Sequence, residues 1–266
     1  MILTAGEPLP LDLDQWWRKP CPGQVRRAGR CWELGAASGK IIRMLPEKQE
    51  IVGLKSLGSN RTLGPVDLDR CVFNGSGRAQ FDDPDLGLVV RDVTARRCRV
   101  IRSVAQGVRF EDVYIDGLAI TSQLNLNGCV FRHVTLTGNV GPLMATPPNS
   151  SLPQDMRDRL TAGIVAYYSD VDWALDISGA AFSDADFYYV PGHLVRRDEE
   201  TQFLLHRDRV EQFGGLERLP VFAQIAARRF EATPFDTVVA IAPKRSKRFA
   251  TYLAELEVLR MEGLAD

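Results

Sequence analysis

Apolar residues in this chain come in pairs two apart, and each pair returns five residues later. In the stretch GVRFEDVYIDGLAI, Gly107–Ile120, the pairs are Val108/Phe110, Val113/Ile115 and Leu118/Ile120. A helix needs a spacing of about 3.6 and a half-buried strand a spacing of about 2, so a period of five belongs to neither. Upstream the register holds through Leu88/Val90, Val93/Ala95, Cys98/Val100 and Ser103/Ala105. Downstream, after a one-residue slip, it resumes as Leu124/Leu126, Cys129/Phe131 and Val134/Leu136. Shorter fragments read Val66/Leu68 and Cys71/Phe73, then Leu175/Ile177, Ala180/Phe182 and Ala185/Phe187.

A five-residue unit cannot bury its own apolar side chains, so copies must stack. Two inward residues around one outward residue make a short strand, and the other two residues turn a corner. Successive coils then hydrogen-bond as parallel strands about 4.8 Å apart.

The units VDLDR (Val66–Arg70), LNLNG (Leu124–Gly128) and ADFYY (Ala185–Tyr189) resemble the pentapeptide-repeat family. Its unit is a small residue, then Asp or Asn, then Leu or Phe, then two variable residues. The resemblance covers roughly a third of the chain, with Val or Leu often in the first position and Arg or Tyr often in the second. It implies a right-handed, four-sided parallel β-helix with four units, twenty residues, per coil. That winding, plus one residue at the slip, stacks Val90 with Phe110 and Phe131, Val93 with Val113 and Val134, and Ala95 with Ile115 and Leu136. All three columns are apolar, as an interior requires. The outward column Arg91, Glu111, Arg132 alternates in sign, which suits a structural ladder.

The expected fold is therefore mainly β: a right-handed four-sided parallel β-helix with an inserted loop and helix and a mainly α-helical C-terminal segment. Residues 1–65 are expected to flank and cap the coil, 66–190 to form it with an insertion near 141–170, and 191–266 to be mainly helical. FNGSGRAQFDDPDLG, Phe73–Gly87, reads as a loop, and its Asp82, Asp83 and Asp85 are too few for a calcium loop. GPLMATPPNSSLPQD also reads as a loop, and MRDRLTAGIVAYY as a short helix starting near Pro153. Beyond Pro191, Phe203, Leu204, Val210 and Phe213 fall at helical spacing, and RLPVFAQIAARRFEA reads as another helix. TVVAIAP reads as a strand or an extended linker. A final helix puts Phe249, Tyr252, Leu253, Leu256 and Leu259 on one face, to cap the coil or to form a homodimer contact.

Composition excludes several classes. A net charge of -1 with 25% charged residues suits neither a general nucleic-acid binder nor an acidic tail protein. The start lacks a basic region followed by an apolar core, and no apolar run approaches the ~20 residues of a membrane span. A cytoplasmic location without membrane contact is expected. The five cysteines (Cys21, Cys31, Cys71, Cys98, Cys129) are scattered without a C-x-x-C pair, so free thiols are expected and a zinc site is not. Trp16, Trp17 and Trp32 beside Arg26, Arg27 and Arg30 read as a solvated face next to a cap, and ELGAASGK lacks the phosphate-loop pattern. No metal or cofactor is expected.

For chemistry, Asp92, Asp112 and His133 fall in one outward column with Asp116 around the corner, the acid–base cluster that an enzyme on this surface would use. No nucleophile elbow, metal-ligand helix or dinucleotide fingerprint accompanies it. The leading expectation is a non-catalytic protein-interaction scaffold, an immunity or resistance factor that binds a protein target, because a stiff coil offers flat faces with little reorganisation. Candidate contact residues are Arg109, Glu111, Tyr114, Asp116, Tyr188 and Tyr189. Some pentapeptide-repeat proteins protect DNA gyrase with an acidic, duplex-like surface, which makes gyrase or topoisomerase protection an alternative. Between Leu88 and Thr137, however, seven Arg stand against four Asp or Glu, which disfavours duplex mimicry. Direct nucleic-acid binding is not favoured either.

Overall fold

The period of five becomes a backbone rhythm. Left-handed φ values fall at Asp92, Arg97, Arg102, Gly107, Asp112 and Gly117, and again at Gly128, His133 and Gly138. Each turns the chain after a short extended run. An L-residue pays about 1–2 kcal/mol for this conformation, and Gly, Asp and His accept it most readily. The computed structural model describes residues 47–58, 61–79 and 87–266. The N-terminal tryptophans and arginines, Cys21, Cys31 and Asp82, Asp83 and Asp85 lie outside the described residues; of the expected loop Phe73–Gly87, Phe73 and Asn74 end one strand and Gly77–Ala79 form another.

The extended runs join into two parallel sheets. The first holds β1 (Glu50–Val52), β3 (Arg61–Leu63), β4 (Val66–Asp69), β5 (Val72–Asn74), β7 (Leu88–Ile101), β9 (Val108–Ile120), β11 (Val130–Val140), β13 (Leu175–Asp176), β14 (Ala180–Phe182) and β16 (Val195–Arg196). The second holds β2 (Lys55–Leu57), β6 (Gly77–Ala79), β8 (Val104–Gln106), β10 (Leu124–Asn127), β12 (Leu143–Thr146) and β15 (Ala185–Asp186). Register follows the sequence columns. Val90 pairs with Phe110 and Phe110 with Phe131, and the two rings stack at 5.7 Å. Val66, Val93, Val113, Val134, Leu175 and Val195 form one ladder across six strands. Ala95, Ile115 and Leu136 form another.

Both sheets contribute to one apolar core, with Leu68, Val93, Val113 and Val134 from the first and Ala105, Leu126, Leu143 and Ala145 from the second. Cys98 and Cys129 are free thiols and are buried, as is Cys71, and burial pushes the Cys129 thiol up to about 12, far from reactive thiolate chemistry. Leu143–Thr146, expected as loop, is strand β12. Its Leu143 and Ala145 keep the two-apart inward pair directly after a Gly-Pro that reads as a break.

Helix α1 (Gln154–Tyr168) starts after Pro153 and buries Leu160, Ile164 and Tyr168 at four-residue intervals. It packs on the first sheet: the Phe131 amide donates to the Tyr168 hydroxyl at 3.2 Å, and Val130 is fully buried.

The C-terminal segment differs from the expected helical array. Strands β17 (Gln202–His206) and β18 (Thr237–Ile241) pair antiparallel. Phe203 and Leu204, read as helical, lie in β17. A strand buried on both faces shows a continuous apolar run, which periodicity cannot separate from a helix. One face, Leu204, Val239 and Ile241, joins the core of the parallel sheets. The other, Phe203, Leu205, Val238 and Ala240, packs with α2 (Arg207–Phe213), α3 (Val221–Arg228) and α4 (Phe249–Met261). Hydrogen bonds bind this layer to the ends of the parallel strands. The Gln202 amide group donates to the Ile177 carbonyl at 3.1 Å, the Arg245 amide to Phe182 at 2.8 Å, and the Arg245 guanidinium to Val140 at 3.0 Å. Backbone acceptors at the sheet's end are thereby satisfied, as burial demands.

Candidate functional site

Glu111 leaves β9 on its outward side yet is only 5% exposed, because α1 covers it. Its carboxylate accepts from Arg91, from Arg109 Nε at 3.0 Å and from the Tyr167 hydroxyl at 3.2 Å. Burial by itself raises its pKa, but the Arg91 hydrogen bond, the charges of Arg109 and Arg91 and the Tyr167 bond prevail and hold it below the ordinary carboxylate value. Burial, with the adjacent carboxylate, pushes the Tyr167 hydroxyl up, so Tyr167 remains a donor. Arg91, Glu111 and Arg132 stand in register, the ladder that the alternating charges foreshadow.

This network has a pH signature. A carboxyl whose folded pKa is depressed contributes stability above its unfolded pKa and loses it as pH falls through the folded value. Wild type is therefore expected to be more stable than Glu111→Gln near neutrality, with the gap closing as pH falls below about 4. Thermal melts of both proteins across that range check this; a gap that stays constant with pH counts against it.

The column Asp92, Asp112, His133 occupies three left-handed corner positions. It is only partly assembled. His133 Nδ1 lies 3.1 Å from Asp112 Oδ1, while Nε2 lies 2.7 Å from Asp172 Oδ1. Asp92 takes no part in these bonds. The bond from His133 holds the Asp172 carboxyl below its ordinary value. The imidazole also packs on Trp173 at 4.8 Å, whose other neighbour is the Arg196 guanidinium at 4.1 Å from the ring centroid. With an aspartate oxygen against each ring nitrogen, neither nitrogen is open to a substrate, and the arrangement instead fastens the Asp172–Trp173 loop to the sheet.

Comparison with family profiles, curated proteins and solved structures gave no match. The site therefore rests on its own geometry. Among the described residues no helix is long and apolar enough to cross a membrane.

The remaining candidate contacts separate. Tyr114 is 40% exposed, 3.4 Å from the Thr137 hydroxyl, and Asp116 accepts from that hydroxyl at 3.5 Å. Both belong to a bare stretch of the first sheet. Its outward ladder runs Asp67, Thr94, Tyr114, Thr135, Asp176, Arg196, and none of the six is buried. Tyr188 and Tyr189 lie elsewhere: Tyr189 is buried, its hydroxyl 2.8 Å from Thr161, and Tyr188 packs beneath Arg229. Arg109 lies with Glu111 beside α1, over Tyr167. Sequence reasoning missed Trp173 and Arg196. They follow the long insertion, so no constant spacing ties them to His133.

Proposed function

We propose that this chain is a right-handed, four-sided β-helix of the pentapeptide-repeat kind, working in the cytoplasm as a non-catalytic protein-interaction scaffold. In this reading it is an immunity or resistance factor that binds its protein target through one bare side of the coil. Two features support the winding: the 20-residue register from Leu88 to Val108, and four left-handed corners, Asp92, Arg97, Arg102 and Gly107, between them. The observation that carries the function is the uncovered ladder centred on Tyr114. Parallel sheets are normally covered on both faces. Here α1 covers the Val130 side, whereas the Tyr114 side presents a six-strand surface of Asp and Thr side chains, with Arg196 at one end, around one exposed aromatic ring. Such a surface binds with little ordering cost, and tyrosine is a favoured anchor.

The test is capture from the native host with the tagged full chain and with Tyr114→Asp, followed by reconstitution with the purified captured protein. A complex of fixed stoichiometry on gel filtration, weakened at least about tenfold by Tyr114→Asp, is expected. Capture indifferent to Tyr114→Asp, or turnover of a small substrate with no partner, overturns the reading.

A further inference from the structure

Along β7 the exposed residues Arg96 and Arg99, and Arg102 just past its end, recur every third position. Their backbones are hydrogen-bonded, Arg96 O to the Arg70 amide and the Arg99 amide to Cys71 O, but among the described residues none of the three guanidinium groups has a hydrogen-bond or ion-pair partner. The other arginines nearby do: Arg97 holds Asp69 at 2.7 Å, and Arg91 holds Glu111. Register explains the difference. Arg99 stands between Val72 and Ala119, neither of which carries charge, so neither adjoining strand offers it a counterion. Arg102 follows Ile101, whose partner is Asn74, again uncharged. Arg96 stands between Asp69 and Asp116, but Asp69 is taken by Arg70 and Arg97, and Asp116 accepts from Thr137.

We infer that this arginine row is the charged half of the docking surface and that its partner is an acidic protein surface. This rests on the scaffold reading above. The row adjoins the bare ladder, since Thr94 and Arg96 pair with Tyr114 and Asp116. Its own borders are aliphatic: Val52 is 70% exposed, Val104 is 45% exposed, and Ala119 is exposed as well. Arginine among exposed aliphatic side chains is the composition of protein interfaces, where charge steers encounter and apolar contact holds the complex.

Nucleic acid fits less well. The row is at most about 20 Å long, and duplex binding draws on some ~6–10 neutralised phosphates. Three arginines on a chain of net charge -1 do not supply them.

The experiment uses the full chain and a fluorescent short poly-L-glutamate, with a DNA duplex of matched length in parallel, read by anisotropy at low and physiological salt. Polyglutamate is expected to bind with salt-sensitive affinity. The triple variant Arg96→Glu, Arg99→Glu, Arg102→Glu is expected to lose at least about tenfold. Arg132→Glu, an exposed arginine of the Glu111 ladder and outside the row, is expected to change it less than about twofold. A melt establishes that the triple variant is folded, and Arg99→Ala with Arg102→Ala serves as a milder pair. Unchanged polyglutamate binding in the folded variants overturns the inference, and tighter binding of the duplex reassigns the row to nucleic acid. Either result, with Tyr114→Asp still abolishing partner capture, leaves the scaffold reading intact; capture indifferent to Tyr114→Asp removes that reading instead.

Discussion

Val113→Asp is expected to unfold the chain, while Tyr114→Asp, one residue along, leaves its stability almost unchanged. Val113 is 4% exposed in the middle of the six-residue apolar ladder, with Val93 and Val134 as its neighbours in register. A carboxylate there has no partner among those side chains, and an unpaired buried charge costs more than about 4 kcal/mol. That is a large fraction of the stability a domain of this kind has, ~5–15 kcal/mol. Tyr114 faces out, so its replacement stays within about 0.5 kcal/mol of wild type. Circular dichroism and urea titration of the pair read the alternation of the repeat directly. Equal tolerance at both positions places Val113 outside the core.

Phe187→Ala is expected to cost about 3–5 kcal/mol, the range for emptying a buried aromatic site. Phe187 is 1% exposed directly after β15 and meets Phe182 edge-on at 5.6 Å. β15 packs against β18, so the cavity opens where the parallel sheets meet the C-terminal layer. Rigid strands on one side and a two-stranded antiparallel sheet on the other limit collapse into the space. A lower urea midpoint at unchanged slope is the expected signature, and a loss below about 1 kcal/mol contradicts the packing described.

The parallel pairing was legible because its rule is local. Columns Val90/Phe110/Phe131 and Val93/Val113/Val134 follow from counting, since each five-residue unit repeats the same short instruction. The antiparallel pair Gln202–His206 with Thr237–Ile241 was not legible, because its partners lie far apart in sequence and both faces are apolar. The candidate site divides the same way. His133 beside Asp112 follows from register, whereas Asp172, Trp173 and Arg196 reach it only once a long insertion has closed. Glu111 reads as outward, and it is; its burial comes from α1, whose landing place the period of five does not encode. Tyr188 and Tyr189 look alike within one repeat unit but belong to packing against Arg229 and Thr161.

The central claim, that the bare ladder is a docking face for a protein, is tested most directly by photocrosslinking in the native host. A photoreactive phenylalanine analogue is placed at Tyr114 and, as a comparison, at Val165, which is 44% exposed on α1. The account predicts one discrete protein adduct from position 114 and none from position 165. No adduct at 114, or the same adducts from both positions, would contradict it.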